Sequence, residues 1–379
     1  MTISIVGLIK NLLKSMSVSK HKDLYLKPVP LYVSFCLINI LLLTDPVRAA
    51  GSDALFMSDD IIYMELRTDF SAIQKSRMEI PEYYDGELIY FGQDGKSTKL
   101  SVRVSARGNF RRDPANCAFP PLYVDFRNNE VKNTLFENQD KLKLVTPCQR
   151  EKELIEEYII YKMYNEVTDY SMRARLVKIR YFDTNTAELL FESFSFFLED
   201  KSQIAERNNA VNRDRFITPA DLNRDNFKRL AFFQYMTGNI DWYITSRKNI
   251  LIMQPEDSSL KSIAVPYDFD LSGFVNPEYS KPRGVPAKLL KDKRVYRGLC
   301  YTDEEFSAVF RFYKSLRPRF ESIINNADIL NKTDRKQLLR YVSHFYAVIK
   351  RKDLIEREFL TVCHTSQYNN ISEVFEPSK

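Results

Sequence analysis

The sequence has 379 residues, of which 44% are apolar and 28% are charged. This composition excludes a disordered chain, and the length suffices for one large domain or for two lobes. Residues 1–49 carry +4 of the formal net charge of +6, so the rest of the chain holds only about +2. Because a nearly neutral protein attracts nucleic acid poorly, we expect no nucleic-acid partner.

The N-terminal residues have the pattern of a secretory signal peptide. Lysines precede an uncharged apolar run at residues 31–43, and small residues at 47 and 49 mark a cleavage position before Ala50. The run is short for a membrane span, so we expect cleavage after residue 49 and a periplasmic or extracellular protein with no stable membrane span. An uncleaved anchor is the alternative.

The cysteines agree with export. Cys36 lies in the signal peptide, and the other four are an even number, as expected for disulfides in an oxidising compartment. Among the three possible pairings we favour Cys117 with Cys148 and Cys300 with Cys363. Free buried thiols are the alternative.

Alternation of apolar and polar residues predicts a mainly antiparallel sheet up to about residue 200. A helical apolar stripe at residues 151–167 adds one helix to this sheet. The fold class is therefore α+β, with an N-terminal β-rich lobe at residues 50–200. The expected strands are residues 61–66, 99–105, 122–126, 141–145, 175–183 and 188–198.

Several charged side chains of this lobe suit phosphate binding. Arg107 follows a strand and offers a planar donor fork, while Gly108 allows the backbone to bend. Lys143 lies on the polar face of the strand at 141–145. The alternatives are a simple turn and solvated lysines on an edge strand. Glu156 and Glu157 of the helix could orient a strand lysine, although we expect at least one of them at the surface.

The second half of the chain is predicted to be mostly helical. The polar residues 199–215 form the expected connection between two lobes, so the second lobe spans residues 201–379. Helical patterns with capping signals occupy residues 226–236, the segment from 302 onward and residues 333–352.

The clearest chemical pattern lies at residues 238–273. Here Asp241, Asn249, Asp268 and Asp270 surround two apolar runs that predict a buried hairpin. Side chains two apart in an extended chain leave the same face, so both aspartates after the second strand can bind one cation. With the Asn249 carbonyl, these oxygens suit Mg²⁺ or Mn²⁺. Asp241 remains available as a general base for an attacking hydroxyl.

Other interpretations of these patterns remain open. An Asp pair at a strand end is also a common turn or capping device. The order of base, Asn and Asp favours chemistry, because the same order serves phosphoryl transfer in protein kinases. Only His344 and His364 follow the signal peptide, which argues against a histidine metal site or a serine hydrolase. The basic residues 281–297 either dock an acidic ligand or form a solvated loop.

The order of these motifs resembles that of the CotH family, which is named for spore coat protein H and consists of atypical kinase-fold proteins. The resemblance covers roughly residues 100–275 and identifies the chain as an exported bacterial member. The motifs are R-G-N at 107–109, K-L-K-L-V at 141–145, G-N-I-D-W at 238–242, K-N at 248–249 and P-Y-D-F-D at 266–270.

This resemblance implies a two-lobed, atypical protein-kinase-like fold that uses ATP and Mg²⁺ or Mn²⁺. It implies specific roles for residues already singled out: Asp241 as the acidic residue of the catalytic loop, Asn249 as a metal ligand, Asp268 as the metal-binding acid at the D-F-G-equivalent position, Arg107 and Asn109 in the turn over the nucleotide, and Lys143 as the lysine that contacts phosphate.

The chain departs from the family pattern in two places. The family usually carries lysines shortly after R-G-N, where this chain reads C-A-F-P-P-L-Y-V-D-F at 117–126. Asp241 and Asn249 are eight residues apart, against about five in ordinary protein kinases.

The leading functional hypothesis is therefore an exported kinase that transfers phosphate from ATP to a protein or envelope component. A non-catalytic binding or scaffold protein with the same fold is the alternative, since the expected lysines are missing. A metal-dependent sugar transferase is a third hypothesis, but the sequence has no alternating β-α nucleotide-binding half.

Overall fold

The computed structural model describes residues 54–92, 95–126, 131–277 and 294–361 of the chain. The expected signal peptide at 1–49, Cys363 and the basic residues 281–293 lie outside these ranges. Within them, no helix combines the length and the apolar character that crossing a membrane requires.

Seven strands of the N-terminal half close into a barrel in the order β1-β2-β3-β4-β5-β7-β6. Neighbouring strands are antiparallel except β1 and β6, which run parallel. The predicted antiparallel sheet is therefore confirmed, and the parallel pair closes it. The strands are β1 (Ile62–Thr68), β2 (Tyr84–Phe91), β3 (Ser97–Ala106), β4 (Leu122–Phe126), β5 (Lys141–Val145), β6 (Ala174–Asp183) and β7 (Glu188–Leu198).

The helices lie mostly in the C-terminal half, which confirms the α+β class. A short three-stranded sheet, in the order β10-β9-β8, accompanies them. The helices are α1 (Phe70–Ser76), α2 (Glu151–Asn165), α3 (Lys201–Arg207), α4 (Arg224–Thr237), α5 (Asp303–Asn325), α6 (Lys332–Val348) and α7 (Lys352–Ile355), and the strands are β8 (Ala210–Asn212), β9 (Ile250–Pro255) and β10 (Ile263–Pro266).

Four elements of the fold are absent from the sequence prediction. Strand β2 and helix α1 lie before residue 92, and α3 and β8 lie in the polar segment 199–215 that was expected to connect two lobes. The polarity of this segment reflects a short helix that buries only Ile204 and Ala205 and is capped by the Asp200 side chain, which accepts from the Ser202 N–H at 2.9 Å. The lobe boundary near residue 200 stays a prediction.

Helix α2 is buried on nearly all sides. It packs against β6 and β7 of the barrel and against α5 of the helical half. Glu156 and Glu157 are each only 2% exposed, so the expectation that one of them lies at the surface is wrong. Packing on opposite sides leaves α2 no solvent face, and a sequence pattern cannot reveal partners so distant in the chain.

The hydrophobic core has two clusters, and the residues of α2 belong to the larger one. One fills the barrel interior with residues such as Leu66, Val104 and Leu144. The larger one joins α2 to the C-terminal helices and includes Phe232 and Tyr313. Helix α2 is therefore fixed by the same packing that stabilises the helical half.

Helix α4 ends, as predicted, at Gly238, which has a φ of 65° in the left-handed region. A β-carbon at Gly238 would overlap the hydroxyl oxygen of Tyr341, whereas Gly95, with a φ of 75°, has nothing within 4 Å. The two glycines thus share the backbone constraint but not the close contact.

Gly238→Ala should lower the free energy of unfolding by roughly 3 kcal/mol, from left-handed strain plus steric overlap. Gly95→Ala should cost only about 1 kcal/mol, because strain acts alone there. Chemical denaturation of both variants measures the difference. Adding Tyr341→Phe to Gly238→Ala should restore part of the loss; equal losses for the two glycine variants would contradict the assigned contact.

Candidate functional site

One buried arginine, Arg77, binds the backbone of the loop after β3. Arg77 is 4% exposed. Its guanidinium donates to the carbonyl oxygens of Cys117 at 2.8 Å, Ala118 at 3.0 Å and Arg111 at 3.4 Å. One side chain thereby fixes the backbone on both sides of the loop and limits the movement of the side chains that the loop carries.

A disulfide between Cys117 and Cys148 ties the same loop to the segment after β5. This pairing agrees with the one favoured from the sequence. Cys300 is also disulfide-bonded, and its expected pairing with Cys363 lies outside the described residues. The loop that follows Arg107 is therefore anchored at two independent points, the end of α1 and the segment after β5.

Lys143 lies in the interior of the sheet, since its strand β5 pairs with both β4 and β7. The edge-strand alternative for this lysine is therefore wrong. Its side chain is half-buried, and its Nζ is 5.2 Å from the ring centroid of Tyr267. Tyr267 directly precedes Asp268, so the strand lysine faces the end of β10.

Helix α2 contacts the segment after β10 through one tyrosine. The backbone N–H of Asp268 donates to the Tyr161 hydroxyl at 2.9 Å. The rings of Tyr161 and Phe269 pack edge to face with centroids 5.0 Å apart. Tyr161 is fully buried. Helix α2 therefore fixes the backbone position of Asp268, from which its carboxylate extends.

The hairpin of β9 and β10 presents two of the predicted ligands in an uncommon conformation. The backbone φ is 55° at Asn249 and 61° at Asp268. Such values are uncommon for residues other than glycine, and they cluster at functional sites where the surrounding structure enforces them. Here the Tyr267 N–H donates to the Asn249 carbonyl at 3.0 Å, which brings the two loops together.

Asp241 and Asn249 are in direct contact, although eight residues separate them. The Asn249 side-chain amide donates to the Asp241 backbone oxygen at 2.7 Å and to its Oδ2 at 3.1 Å. Lys248 forms a salt bridge with Oδ1 of the same carboxylate. The Asn249 amide nitrogen is thus used in holding Asp241, and its carbonyl oxygen is the atom suited to bind a cation.

The acidic group of the site comprises Asp268, Asp270 and Glu157. Burial, and next the charge of Asp270, raise the pKa of Asp268 to about 7, and the two carboxyls share a hydrogen bond. Burial raises the pKa of Glu157 well above its usual range, with Asp270 as the next cause. Carboxylates this close and this poorly solvated repel one another, and a divalent cation would relieve that repulsion.

The basic group comprises Arg107, Arg111 and Lys143. Burial lowers the pKa of Lys143 to about 8, with Arg107 as the next cause, while Asp268 opposes the shift. Burial likewise lowers the pKa of Arg107. Arg111 reaches Glu157 with an Nη1 to Oε2 distance of 3.8 Å. Cations crowded in this way would be stabilised by a bound phosphate group.

The structure therefore brings together most of the side chains predicted from the sequence. Arg107 and Lys143 interact electrostatically with Asp268, and Asp270 with Asp268. Asn109 is not part of this buried group, because it is exposed and its side chain does not cap the short 3₁₀ turn that follows.

Sequence reasoning missed two contributors, Arg111 and Tyr161. Arg111 follows R-G-N by two residues, in the region where the missing lysines were expected. Its guanidinium donates to the Thr146 carbonyl as well as approaching Glu157. A search for any cation after R-G-N, rather than for lysine, would have found it.

In the basic segment 281–297, the structure describes residues 294–297, and the two arginines among them bind backbone carbonyls of the fold. Arg294 is 9% exposed and donates to the Met236 carbonyl at 3.2 Å and the Tyr341 carbonyl at 2.7 Å. Arg297 donates through Nη1 to the carbonyls of Ile240 at 2.7 Å and Trp242 at 3.2 Å. For these two arginines both sequence interpretations, a solvated loop and an open docking site, are wrong. Arg297 holds the backbone on either side of Asp241, and Arg294 joins the end of α4 to α6.

The donor set fits a hard divalent cation better than a soft one. Two adjacent carboxylates and an amide carbonyl offer only oxygen ligands. Within the described ranges, no three or more His, Cys, Asp or Glu side chains are grouped as a metal site would require. A cation held by Asp268, Asp270 and Asn249 would therefore complete its coordination with water or phosphate oxygens.

No protein-family model and no curated protein matches the sequence. Among solved structures, a match is the crystal structure of the proinflammatory kinase CtkA of Helicobacter pylori. The two chains are 13% identical, over 67% of this chain and 93% of that one, with a TM-score of 0.37. The likeness is a distant one in fold.

A second buried acid on α2 gives a measurable pH dependence. Oε1 of Glu156 is 3.6 Å from Nζ of Lys152, which lies closer, at 2.7 Å, to Asp334. Burial raises the pKa of Glu156 to about 8 against the opposing charge of Lys152. Because the neutral carboxyl is favoured in the fold, its stabilisation is complete below the ordinary pKa of 4.5 and is lost as the pH rises through about 8.

Between about pH 5 and about pH 9, the wild-type free energy of unfolding should therefore fall by about 4 kcal/mol relative to Glu156→Gln. The glutamine keeps the shape of the side chain and removes the titration. Urea denaturation across the pH range tests this. Replacing the exposed Glu206 of α3 with Gln is the control and should follow the wild type; parallel curves for wild type and Glu156→Gln would contradict the prediction.

Proposed function

We propose that the protein is an exported kinase of the CotH type that binds ATP with Mg²⁺ or Mn²⁺ and phosphorylates a protein or envelope component. The observation that carries this proposal is the burial of a basic and an acidic group side by side. Arg107, Arg111 and Lys143 suit the phosphates, and Asp268 and Asp270 suit the cation. The repulsion inside each group would be relieved by the ligand that kinases use.

The residues divide the chemistry of such a reaction between them. The acceptor hydroxyl oxygen would form a bond to the γ-phosphorus while the bond to the bridging oxygen breaks and ADP leaves. Asp241 would accept the hydroxyl proton. A bound divalent cation would neutralise charge on the phosphates, and its ligands would be Asn249, Asp268 and Asp270. Arg107, Arg111 and Lys143 would orient the phosphates.

Export rests on separate observations. The N-terminal 49 residues have the charge and apolar pattern of a signal peptide. The disulfide between Cys117 and Cys148 joins loops beside the proposed site, and such bonds persist in oxidising compartments. We therefore propose a periplasmic or extracellular location, with any ATP supplied there.

The first test is nucleotide binding. Isothermal titration of the protein lacking residues 1–49 with ATP and Mn²⁺ should give saturable heats. Asp268→Asn should weaken binding by at least roughly tenfold, because it removes a cation ligand and leaves the phosphate charge less compensated. Asp257→Asn, at an exposed aspartate in the β9–β10 turn, should change nothing. Flat heats for the wild type would refute the proposal.

A non-catalytic binding protein is the second candidate. It is favoured by the salt bridge between Lys248 and Asp241, because a carboxylate oxygen already in contact with a lysine is less accessible to an acceptor hydroxyl. The two candidates differ in what they require of Asp241. A kinase needs this carboxylate for transfer, whereas a binding protein needs it only for the local structure.

Asp241→Asn separates these candidates. In the kinase, the variant should retain ATP and Mn²⁺ affinity within about threefold while phosphate transfer falls by on the order of a hundredfold or more. Autophosphorylation or phosphorylation of envelope extract with labelled ATP measures transfer. If the wild type binds ATP but transfers no label, the binding-protein candidate stands, whereas equal labelling by the wild type and Asp241→Asn would refute the assignment of Asp241.

A further inference from the structure

A second surface, separate from the buried charged groups, lies at the end of the small sheet. It is a wide polar groove of about 890 Å³ between the segment after β8 and the turn that joins β9 to β10. Its lining includes residues 212–215, Gln254 and residues 258–262. We call it the β8 groove. Its size is within the range of binding clefts.

The β8 groove is basic once its internal contacts are considered. Its carboxylates already have partners: Asp214 forms a salt bridge with Arg247, and Asp221 accepts from the Thr218 backbone N–H at 2.8 Å. The hydrogen-bond partners of the cations are neutral, although Arg215 and Lys261 also attract the Asp221 carboxylate. Arg215 donates to the Ser262 hydroxyl at 3.0 Å, and Lys261 to the Ala220 carbonyl at 2.9 Å.

Arg213 adds a third positive charge, since its exposed side chain lines the same groove. Among the residues that the structure describes, none of these three cations forms a salt bridge. Arg213, Arg215 and Lys261 are therefore available to an anionic ligand, and their exposure makes the attraction sensitive to salt.

The groove also borders an open strand. In the described residues β8 is the edge of its sheet. The Arg213 N–H donates inward to the Ile252 carbonyl at 2.8 Å, so the alternation of a strand directs the backbone polar groups of Asn212 outward. An open edge of this kind can pair with an extended peptide from another chain.

Exposed apolar side chains lie on both chain segments that form the groove, the one around β8 and the turn between β9 and β10. Val211 of β8 is 40% exposed, Leu260 of the groove is 51% exposed, and Phe216 is 76% exposed. Large apolar residues grouped at a surface and bordered by charges are typical of interaction sites. They offer contacts to the apolar residues of a strand whose alternate side chains are acidic.

We propose that the β8 groove binds an extended, acidic segment of a partner protein, which adds to the edge of β8 and places its carboxylates beside Arg213, Arg215 and Lys261. The concave shape and the open strand edge favour a peptide over a flat lipid surface. That this segment belongs to the protein that accepts phosphate rests on the proposed function. The proposal that the groove binds the segment does not depend on it.

The position of the groove connects it to the proposed catalytic acid. Asp214 of the groove is paired with Arg247, and the next residue, Lys248, binds the Asp241 carboxylate. A segment held in the groove would therefore lie against the loop that carries Asp241. This arrangement would present a neighbouring hydroxyl of the same partner to that carboxylate.

Binding can be measured by fluorescence anisotropy without nucleotide. The probe is a labelled, end-capped peptide of about nine residues with alternating Glu and Val, used at about 50 mM and about 300 mM salt. It should bind saturably at low salt and more weakly at high salt. A Lys-Val peptide should not bind, and a Glu-Pro peptide of equal charge should bind roughly tenfold more weakly, because proline lacks the N–H needed for pairing.

Arg213→Glu with Lys261→Glu should weaken binding of the Glu-Val peptide by at least roughly tenfold. The matched control reverses the same number of charges at the exposed Arg311 of α5 and Lys336 of α6 and should change the affinity by less than about twofold. Equal weakening in both double variants, or equal binding of the Glu-Val and Glu-Pro peptides, would overturn the proposal.

Two further measurements separate this proposal from others. Vesicles with anionic lipid are tested against the same proteins. If the vesicles bind the wild type but not the groove variant, and the Glu-Val peptide binds neither protein, the proposal of a peptide partner is overturned in favour of a membrane surface. ATP with Mn²⁺ is titrated into the same proteins. Nucleotide heats without peptide binding would refute the groove alone, whereas peptide binding with flat nucleotide heats would refute only the kinase.

Discussion

Charges of both signs are buried together where the barrel meets the helical half, and most of the surrounding structure holds them in place. Burial disfavours the charged forms of Asp268 and Lys143, as the raised pKa of Asp268 and the lowered pKa of Lys143 show. Removing such groups from water costs free energy unless partners compensate for it. The apolar packing around α2 must supply that free energy, which is the expected relation between a stable core and a strained functional site.

Helix α2 is the element through which the two halves share this site. Its Glu157 approaches Arg111 of the loop after β3, and its Tyr161 accepts from the backbone of Asp268. The same helix packs on the barrel and on α5. A shift of α2 would therefore move the basic and the acidic groups relative to each other, so rigid packing of this helix is required for any ligand that bridges them.

The local parts of this arrangement could be predicted from the sequence. The bounds of β4 and β5, the end of α4 at Gly238 and the hairpin that carries Asn249 and Asp268 follow from short-range patterns. The closure of the barrel could not be predicted, because it depends on a parallel pairing of Ile62 with Val177, which are more than a hundred residues apart in the chain. The burial of Glu156 and Glu157 could not be predicted for the same reason, because α2 packs against elements that are distant in the chain. Arg111 could be found as a cation after R-G-N, but its contact with Glu157 could not be predicted, because Arg77 and Cys148, both distant in sequence, help to determine where its loop lies.

The most direct test of the buried charged groups is the position of a bound cation. Crystals grown with Mn²⁺ and a non-hydrolysable ATP analogue would locate the metal by its anomalous scattering. A manganese peak should appear bonded to Asp268 and Asp270, with phosphate oxygens between it and the side chains of Arg107 and Lys143. Manganese and nucleotide bound elsewhere, with these side chains unchanged, would contradict it.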